Sequence, residues 1–306
     1  MQRRLKDYAT ITLKGLAMGA ADAVPGVSGG TIAFISGIYE ELVSTISNVN
    51  ANLFKTLFNS GFKAFWKQAN GYFVVALLSG ILISYVSFMR LAKYLLENEP
   101  VLIWSFFFGL IIASIYFVGK QINTWNLPVV LALLVGTGIA YYISSLPTMA
   151  TNNSAIFLFF AGAIAICAMI LPGISGSFIL IILGAYKTLS DAIHDLDIKK
   201  IALFVAGAVI GLLSFSHVLK WLFKHYHNIT LALLTGFIFG SLDKVWPWKE
   251  TLTWLVDSKG IKIPLLQKSI SPFSFEGDNQ LPFAIALMVL GFFTIFILEK
   301  AGSKKQ

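Results

Sequence analysis

Of the 306 residues, 57% are hydrophobic and only 12% are charged, whereas ordinary soluble domains carry about 25% charged residues, so a soluble protein is excluded. The net charge of +8 suits anionic lipid surfaces, and no basic helix or RNA-binding motif indicates a nucleic-acid partner. One cysteine and four histidines without zinc-ligand spacing exclude a disulfide framework and indicate no metal or other cofactor site.

The apolar stretches of the chain predict its transmembrane helices. Crossing about 30 Å of hydrocarbon takes about 20 helical residues. Stretches near that length occupy residues 72–89, 101–118, 127–146, 200–218, 229–242 and 281–298. Two longer apolar segments, 11–42 and 154–189, are interrupted by proline, glycine and serine. The polar stretches 44–71 and 243–280 predict surface loops, and Trp246 and Trp248 are typical of an aromatic belt at the membrane interface.

The chain repeats itself internally. Setting Pro25 on Pro172 aligns segments 25–42 and 172–189, which share proline, glycine, serine, tyrosine and leucine at matching positions. At an offset of 127 residues, Gly80 then falls on Gly207 and Gly109 on Gly236. We therefore expect two repeats, residues 1–146 and 147–306, each with one broken hairpin followed by three helices.

The distribution of lysine and arginine predicts how the repeats are oriented. If both broken segments dip into the membrane and return, thirteen basic residues lie inside and ten outside; if both cross, the counts are eleven and twelve. The positive-inside rule favours the first arrangement, with both termini in the cytoplasm. The predicted fold is an all-α polytopic membrane protein of two inverted repeats, a plan that many secondary transporters use.

The two interruptions predict an anion site. Non-helical backbone at membrane depth needs polar partners, and a half-helix that begins there presents free N–H groups and a positive dipole end. The expected substrate-binding residues are Pro25, Gly26, Ser28, Gly29, Gly30, Thr31, Pro172, Gly173, Ser175, Gly176 and Ser177. The alternative is that Ser28 and Ser175 only cap their half-helices and that the glycines only permit close packing.

Acidic residues near the first interruption are candidates for ion coupling. Asp22 precedes Pro25 by three residues, and an intramembrane carboxylate costs about 3 kcal/mol, so it is usually functional. We expect it to couple transport to a proton or a sodium ion, with desolvation raising its pKa. The alternative is a structural carboxylate held by neighbouring N–H groups or by a basic partner. Glu40, which closes the first hairpin, is a second candidate, and interfacial solvation explains it equally well.

Each half also carries a basic pair at spacing i, i+3 near a helix end. The pairs are Arg90 with Lys93 and His217 with Lys220, which the repeat aligns. Such a pair on each side of the membrane would suit a headgroup phosphate waiting in either leaflet. The alternative is that these residues only fix the depth of their helices.

Four motifs together resemble one bacterial membrane family. They are GAADAVPGVSGGT (19–31), GIYE (37–40), AMILPGISGS (168–177) and GSL with WPW (240–242 and 246–248). The family is described as polyprenyl-phosphate transporters, which return undecaprenyl phosphate across the bacterial cytoplasmic membrane for reuse in cell-wall and surface-glycan synthesis. The resemblance implies a lipid phosphate substrate, a location in that membrane among its lipids, and no enzymatic activity.

Two other classes of function are alternatives to lipid transport. A transporter of a small soluble anion would use the same two interruptions but would need a water-filled route to both sides. The other is an intramembrane enzyme, either a lipid phosphatase or a glycosyltransferase. A lipid phosphatase would need a histidine after a Ser-Gly pair, and none is present. The sequence does not indicate an oligomeric state.

Overall fold

The computed structural model describes residues 3–22, 28–146, 148–149, 152, 154–256 and 262–303. These residues form thirteen α-helices, two 3-10 turns and one antiparallel hairpin. The helices are α1 (Leu5–Asp22), α2 (Gly29–Ile35), α3 (Tyr39–Ser47), α4 (Ala51–Gln68), α5 (Gly71–Asn98), α6 (Pro100–Gly119), α7 (Leu127–Ser145), α8 (Ala155–Ile170), α9 (Gly176–Ile182), α10 (Tyr186–His194), α11 (Ile198–His225), α12 (His227–Gly240) and α13 (Leu281–Ser303).

The long apolar helices make the chain a polytopic membrane protein. Within the described residues, α5, α6, α7 and α11 are each long and apolar enough to cross a membrane. α12 and α13 are also apolar, although the 14 residues of α12 rise only about 21 Å. All six helices lie where the sequence predicts them. α5 and α11 extend further than expected, to 28 residues each.

Both interrupted segments break into short helices. The first consists of α1, α2 and α3, and the chain turns between α2 and α3 at Gly37, whose φ of 72° favours glycine. The second consists of α8, α9 and α10, with a bend of 106° between α9 and α10. α2 packs against α1, and α9 packs against α8. The re-entrant course of these segments relative to the membrane stays a prediction.

Both stretches that the sequence predicts as loops contain regular structure, so that prediction was wrong. Residues 51–68 form α4, which is kinked at Gly61, and Phe54, Phe58 and Phe62 are exposed along it. Their i, i+4, i+8 spacing is the helical signal that the intervening polar residues obscured. Residues Lys249–Val256 and Lys262–Ser269 form strands β1 and β2 of an antiparallel hairpin, which adds a small sheet to the expected all-α fold.

Glycines set the closest helix crossings within each half. α1 crosses α5 where a Cβ on Gly15 or on Gly80 would overlap the backbone of the other helix. α8 crosses α11 in the same way through Gly162 and Gly207. The alignment of the two halves equates Gly80 with Gly207, and it also equates Gly15 with Gly162. Equivalent glycines therefore occupy equivalent crossings, as small residues do at membrane helix interfaces.

Between the halves, the second and third helices exchange partners. α6 packs on α13 through Gly109 and Gly291, and α12 packs on α7 through Gly236 and Gly136. The second helix of each half thus contacts the third helix of the other half, which interleaves them. The repeat boundaries at 1–146 and 147–306 and the inverted orientation stay predictions.

Two glycines of α7 provide a matched test of this packing. Gly136 is buried against the carbonyl oxygen of Leu233, whereas Gly138 is exposed with no atom within 4 Å of an added Cβ. We expect Gly136→Ala to lower the free energy of unfolding by about 1–3 kcal/mol because the helices must separate. Gly138→Ala should change it by less than about 1 kcal/mol, in the stabilising direction. Thermal unfolding in detergent measures both; equal melting temperatures would contradict the crossing.

Candidate functional site

The two interruptions lie in direct contact. The hydroxyl of Ser28 donates a hydrogen bond to the carbonyl oxygen of Met169 at 3.2 Å. The backbone N–H of Gly173 donates to Oγ1 of Thr31 at 2.9 Å. A Cβ on Gly30 would lie 2.7 Å from the carbonyl oxygen of Ile170, so only glycine permits this approach. We call Asp22 with residues 28–31 the first tip and residues 169–178 the second tip.

Side chains cap the short helix that begins at the first tip. Oδ1 of Asp22 accepts a hydrogen bond from the N–H of Gly29 at 2.7 Å. Oγ of Ser28, the N-cap of α2, accepts from the N–H of Gly30 at 3.1 Å. The N–H of Thr31 bonds to the carbonyl oxygen of Ser28. The first amide groups of α2 are therefore satisfied within the protein, as the capping alternative for Ser28 predicts. Pro25 and Gly26 lie outside the described residues.

The second tip is built differently. Gly173 has a φ of +85°, and a Cβ there would lie 2.7 Å from the carbonyl oxygen of Phe237 in α12. Ser175 is the N-cap of α9 but makes no capping bond, because its hydroxyl pairs with the hydroxyl of Ser177 at 2.9 Å. Pro172 and Gly176 are buried, whereas Ser177 is exposed.

The two tips therefore differ in what they offer an anion. Ser28 and Thr31 are 3% and 1% exposed, and both hydroxyls already hold the second tip. Within the part of the chain that the structure describes, no side chain caps the start of α9, and no acceptor bonds the amides of residues 176–178. From the sequence, both tips were expected to donate hydrogen bonds to the anion. In the structure, the hydroxyl and N–H donors that remain available lie at the second tip.

The candidate carboxylates have separate surroundings. Asp22 lies at the first tip, whereas Glu40 begins α3, at the opposite end of α2. Oε1 of Glu40 lies 3.0 Å from Nε2 of His227. The neighbouring Glu41 binds Arg3 through two hydrogen bonds of 2.6 Å, and these bonds raise the pKa of the Arg3 guanidinium. Glu40 and Glu41 thus link the start of α3 to other elements.

The candidate basic residues make no described hydrogen bond or ion pair with the tips. Nζ of Lys220 donates to Oδ1 of Asn48 at 2.9 Å. It lines a cleft of about 250 Å³ together with Glu40, Val43, Ser44, Phe223 and Lys224. His217 bonds to the carbonyl oxygen of Leu213 in its own helix, and Arg90 is exposed on α5. Among the described residues, neither these two nor Lys220 makes a hydrogen bond or ion pair with a tip. The side chain of Lys93 lies outside what the structure describes.

Comparison with known proteins identifies the family. Residues 18–263 match a family model described as "VCA0040-like: Undecaprenyl phosphate translocase-like". This chain belongs to that family. It is 45% identical over 308 residues to a "Polyprenyl-phosphate transporter" of Vibrio cholerae serotype O1, covering 99% of this chain and 100% of the relative. A protein of the same name from Staphylococcus aureus is 32% identical over 264 residues, covering 80% of this chain and 89% of the relative.

No solved structure matches the chain. Both relatives carry the name of a transporter and not that of an enzyme, which confirms the expectation that this family member is not an enzyme. The resemblance to a polyprenyl-phosphate transporter family is confirmed as well. The roles of the individual site residues stay predictions.

The sequence patterns did not single out two lysines that lie near the second tip. Nζ of Lys244 lies 4.5 Å from the ring centre of Phe178, the residue after Ser177, and Nζ of Lys249 lies 4.5 Å from that of Trp104. They flank the WPW motif, which the sequence assigned to an interfacial belt. Trp248 is instead buried, with its N–H donated to the carbonyl oxygen of Asn279. Lysines on both sides of a tryptophan pair were the available signal.

The contact between the tips can be tested at Thr31. Thr31→Val removes the acceptor for the N–H of Gly173 while keeping the shape, and an unsatisfied buried amide costs about 1–3 kcal/mol. We expect a matching loss of unfolding free energy in detergent. Thr31→Ser keeps the hydroxyl and should retain most of the stability. Equal melting temperatures for the two variants would show that this hydrogen bond does not hold the tips together.

Proposed function

We propose that this protein moves undecaprenyl phosphate, or a related polyprenyl phosphate, across the bacterial cytoplasmic membrane so that the lipid carrier can be reused in cell-wall and surface-glycan synthesis. The observation that carries the proposal is the hydrogen-bonded contact between two interrupted segments inside an apolar helical protein. The names of the two relatives support the substrate. In this proposal both termini lie in the cytoplasm.

The proposal meets the physical difficulty of the transport step. A phosphate cannot cross hydrocarbon unaided, because burying its charge in a low-dielectric medium costs tens of kcal/mol. Only the headgroup needs polar partners, since the isoprenoid tail is as apolar as the lipid. Between α6 and α13 lies an apolar cleft of about 220 Å³, lined by Gly109, Ile112, Met288, Val289, Phe292 and Phe293, which is the kind of surface that such a tail contacts.

In this mechanism the two tips have different tasks. The first tip positions the second through Ser28 and Thr31. The second tip holds the phosphate through the hydroxyls of Ser175 and Ser177 and the N–H groups at the start of α9, because charge-assisted hydrogen bonds to phosphate are strong. The cleft that Lys220 and Lys224 line, at the far end of α2, gives the headgroup a place to wait on the other side.

In this proposal Asp22 couples lipid transport to the movement of a proton or a sodium ion. Its carboxylate holds the N–H of Gly29 and so fixes the start of α2. Neutralising that carboxylate weakens this cap and loosens the first tip, which in turn frees the second. Glu40 is the second candidate, because its contact with His227 joins α3 to the start of α12. A change of charge at either residue would therefore alter contacts between elements.

The phosphate site can be tested in vesicles. Purified protein is reconstituted, undecaprenyl phosphate is added to one leaflet, and its appearance in the other leaflet is timed. Ser175→Ala combined with Ser177→Ala removes both available hydroxyls, and we expect the rate to fall about tenfold or more. Ser145→Ala, which removes an exposed hydroxyl bonded only within α7, is the matched control and should transport normally.

Each outcome of this assay has a defined meaning. An unchanged rate in the double variant would show that the second tip does not hold the phosphate. If the wild-type protein moves the lipid no faster than protein-free vesicles, lipid transport itself is refuted. Release of free phosphate would indicate an intramembrane phosphatase, and transport of inorganic phosphate alone would indicate a carrier of a soluble anion.

Ion coupling is tested by the pH dependence of the same rate. Asp22→Asn cannot change its charge, so transport by this variant should lose the pH dependence, or the sodium dependence, that the wild-type protein shows. Glu40→Gln is measured in parallel, to assign the dependence to one carboxylate. An Asp22→Asn variant that keeps the wild-type pH and sodium profiles would remove Asp22 from the coupling mechanism.

A further inference from the structure

Two half-buried lysines lie together where α12 ends and the hairpin begins. Lys244 belongs to the short turn Leu242–Val245, and Lys249 is the first residue of β1. Each ammonium group lies 4.5 Å from the centre of an aromatic ring, Lys244 over Phe178 and Lys249 over Trp104. Lys249 also donates a hydrogen bond to the backbone oxygen of Lys244. The rings and this bond hold the two side chains in place.

The lysine pair, Lys244 and Lys249, packs against the second tip through Lys244 and the residue before its turn. Phe178 follows Ser177 directly in α9. A Cβ on Gly173 would lie 2.9 Å from Oγ of Ser241, the residue that precedes the turn carrying Lys244. The ammonium group of Lys244 thus lies over a ring of α9, the helix that carries the hydroxyl pair of Ser175 and Ser177.

Within the part of the chain that the structure describes, the neighbouring Asp243 only partly offsets the positive charges of the pair. Neither lysine forms an ion pair there. The adjacent Asp243 instead accepts a hydrogen bond of 2.6 Å from the hydroxyl of Ser269. An ammonium group has three donors, and the described contacts use one on Lys249 and none on Lys244. Burying an ammonium group is costly unless an anion balances its charge and accepts its hydrogen bonds.

Burial, more than any neighbouring charge, sets the ionisation of the pair. Burial lowers the pKa of Lys244 below its ordinary value. Burial and the charge of Lys244 lower the pKa of Lys249 to about 7, against the opposing effect of Asp243. A dianionic ligand would favour the charged form of both lysines, so anion binding and full protonation would support one another.

We propose that Lys244 and Lys249 form a binding site for the phosphate monoester headgroup of a lipid at the mouth of the second tip. This proposal rests on the transport function proposed above. The site holds the headgroup immediately before it binds to Ser175 and Ser177, or immediately after it leaves them. Lysine is well suited to the task because it binds phosphate as a point charge from a flexible stem. Trp104 and Trp246 provide apolar surface for the first isoprenoid units.

Calorimetric titration of the full-length protein in detergent with farnesyl phosphate tests the site. Lys244→Gln combined with Lys249→Gln should weaken binding about tenfold or more. The matched control is Lys199→Gln combined with Lys268→Gln, which removes two charges from exposed lysines and should bind as the wild type does. Lys244→Arg combined with Lys249→Arg keeps both charges and the ring contacts, and should restore most of the affinity.

Three results would overturn the proposal. The first is equal affinity of the glutamine variant and its control. The second is an equal loss in the glutamine and arginine variants, because packing rather than charge would then be responsible. The third is binding of inorganic phosphate as tight as that of farnesyl phosphate, which would make the ligand a free anion. Wild-type protein that fails to move undecaprenyl phosphate in vesicles would refute the transport function and leave this binding result standing.

Discussion

The structure depends on how two interrupted segments satisfy each other's polar groups. A broken helix in hydrocarbon leaves backbone N–H and C=O groups that water cannot reach, each costing several kcal/mol if unpaired. Here Ser28 and Thr31 of one break bond the backbone of Met169 and Gly173 in the other. Each break therefore supplies polar partners to the other. That mutual pairing fixes where the halves of the chain meet and places the available polar groups beside their junction.

The junction is asymmetric, and the asymmetry has a chemical consequence. Asp22 and Ser28 close the first tip by capping α2, whereas its counterpart α9 begins without a side-chain cap. At the repeat position of Asp22 the second half has Met169, which offers only its backbone carbonyl. The start of α2 at the first tip is thereby capped, whereas the start of α9 at the second tip retains uncapped N–H groups. In the proposed mechanism the donors of the second tip are the groups that bind the phosphate.

The apolar helices are held around this junction by close contact of small residues. Lipid tails are as apolar as leucine, so burial of apolar surface does not drive helices together within a membrane. Gly80 and Gly207 instead let the backbones of two helix pairs touch, and Gly109 and Gly236 do the same between the halves. This packing fixes α12 and the turn after it. The position of Lys244 over α9 follows from that geometry.

The sequence by itself determined the class of the protein, the six apolar helices, the two interruptions and their likeness, because hydropathy and internal repetition are local properties of the chain. Tertiary structure decided which groups each residue contacts. It alone showed that Ser28 and Thr31 bond to the opposite tip, that Lys220 bonds to Asn48 beside a cleft, and that Trp248 is buried. The spacing of residues in the sequence also did not predict the hairpin or the position of Lys244, because neither shows a periodic hydrophobic pattern. Hydrogen-bond partners more than a hundred residues apart are set by helix packing, and no local pattern encodes them.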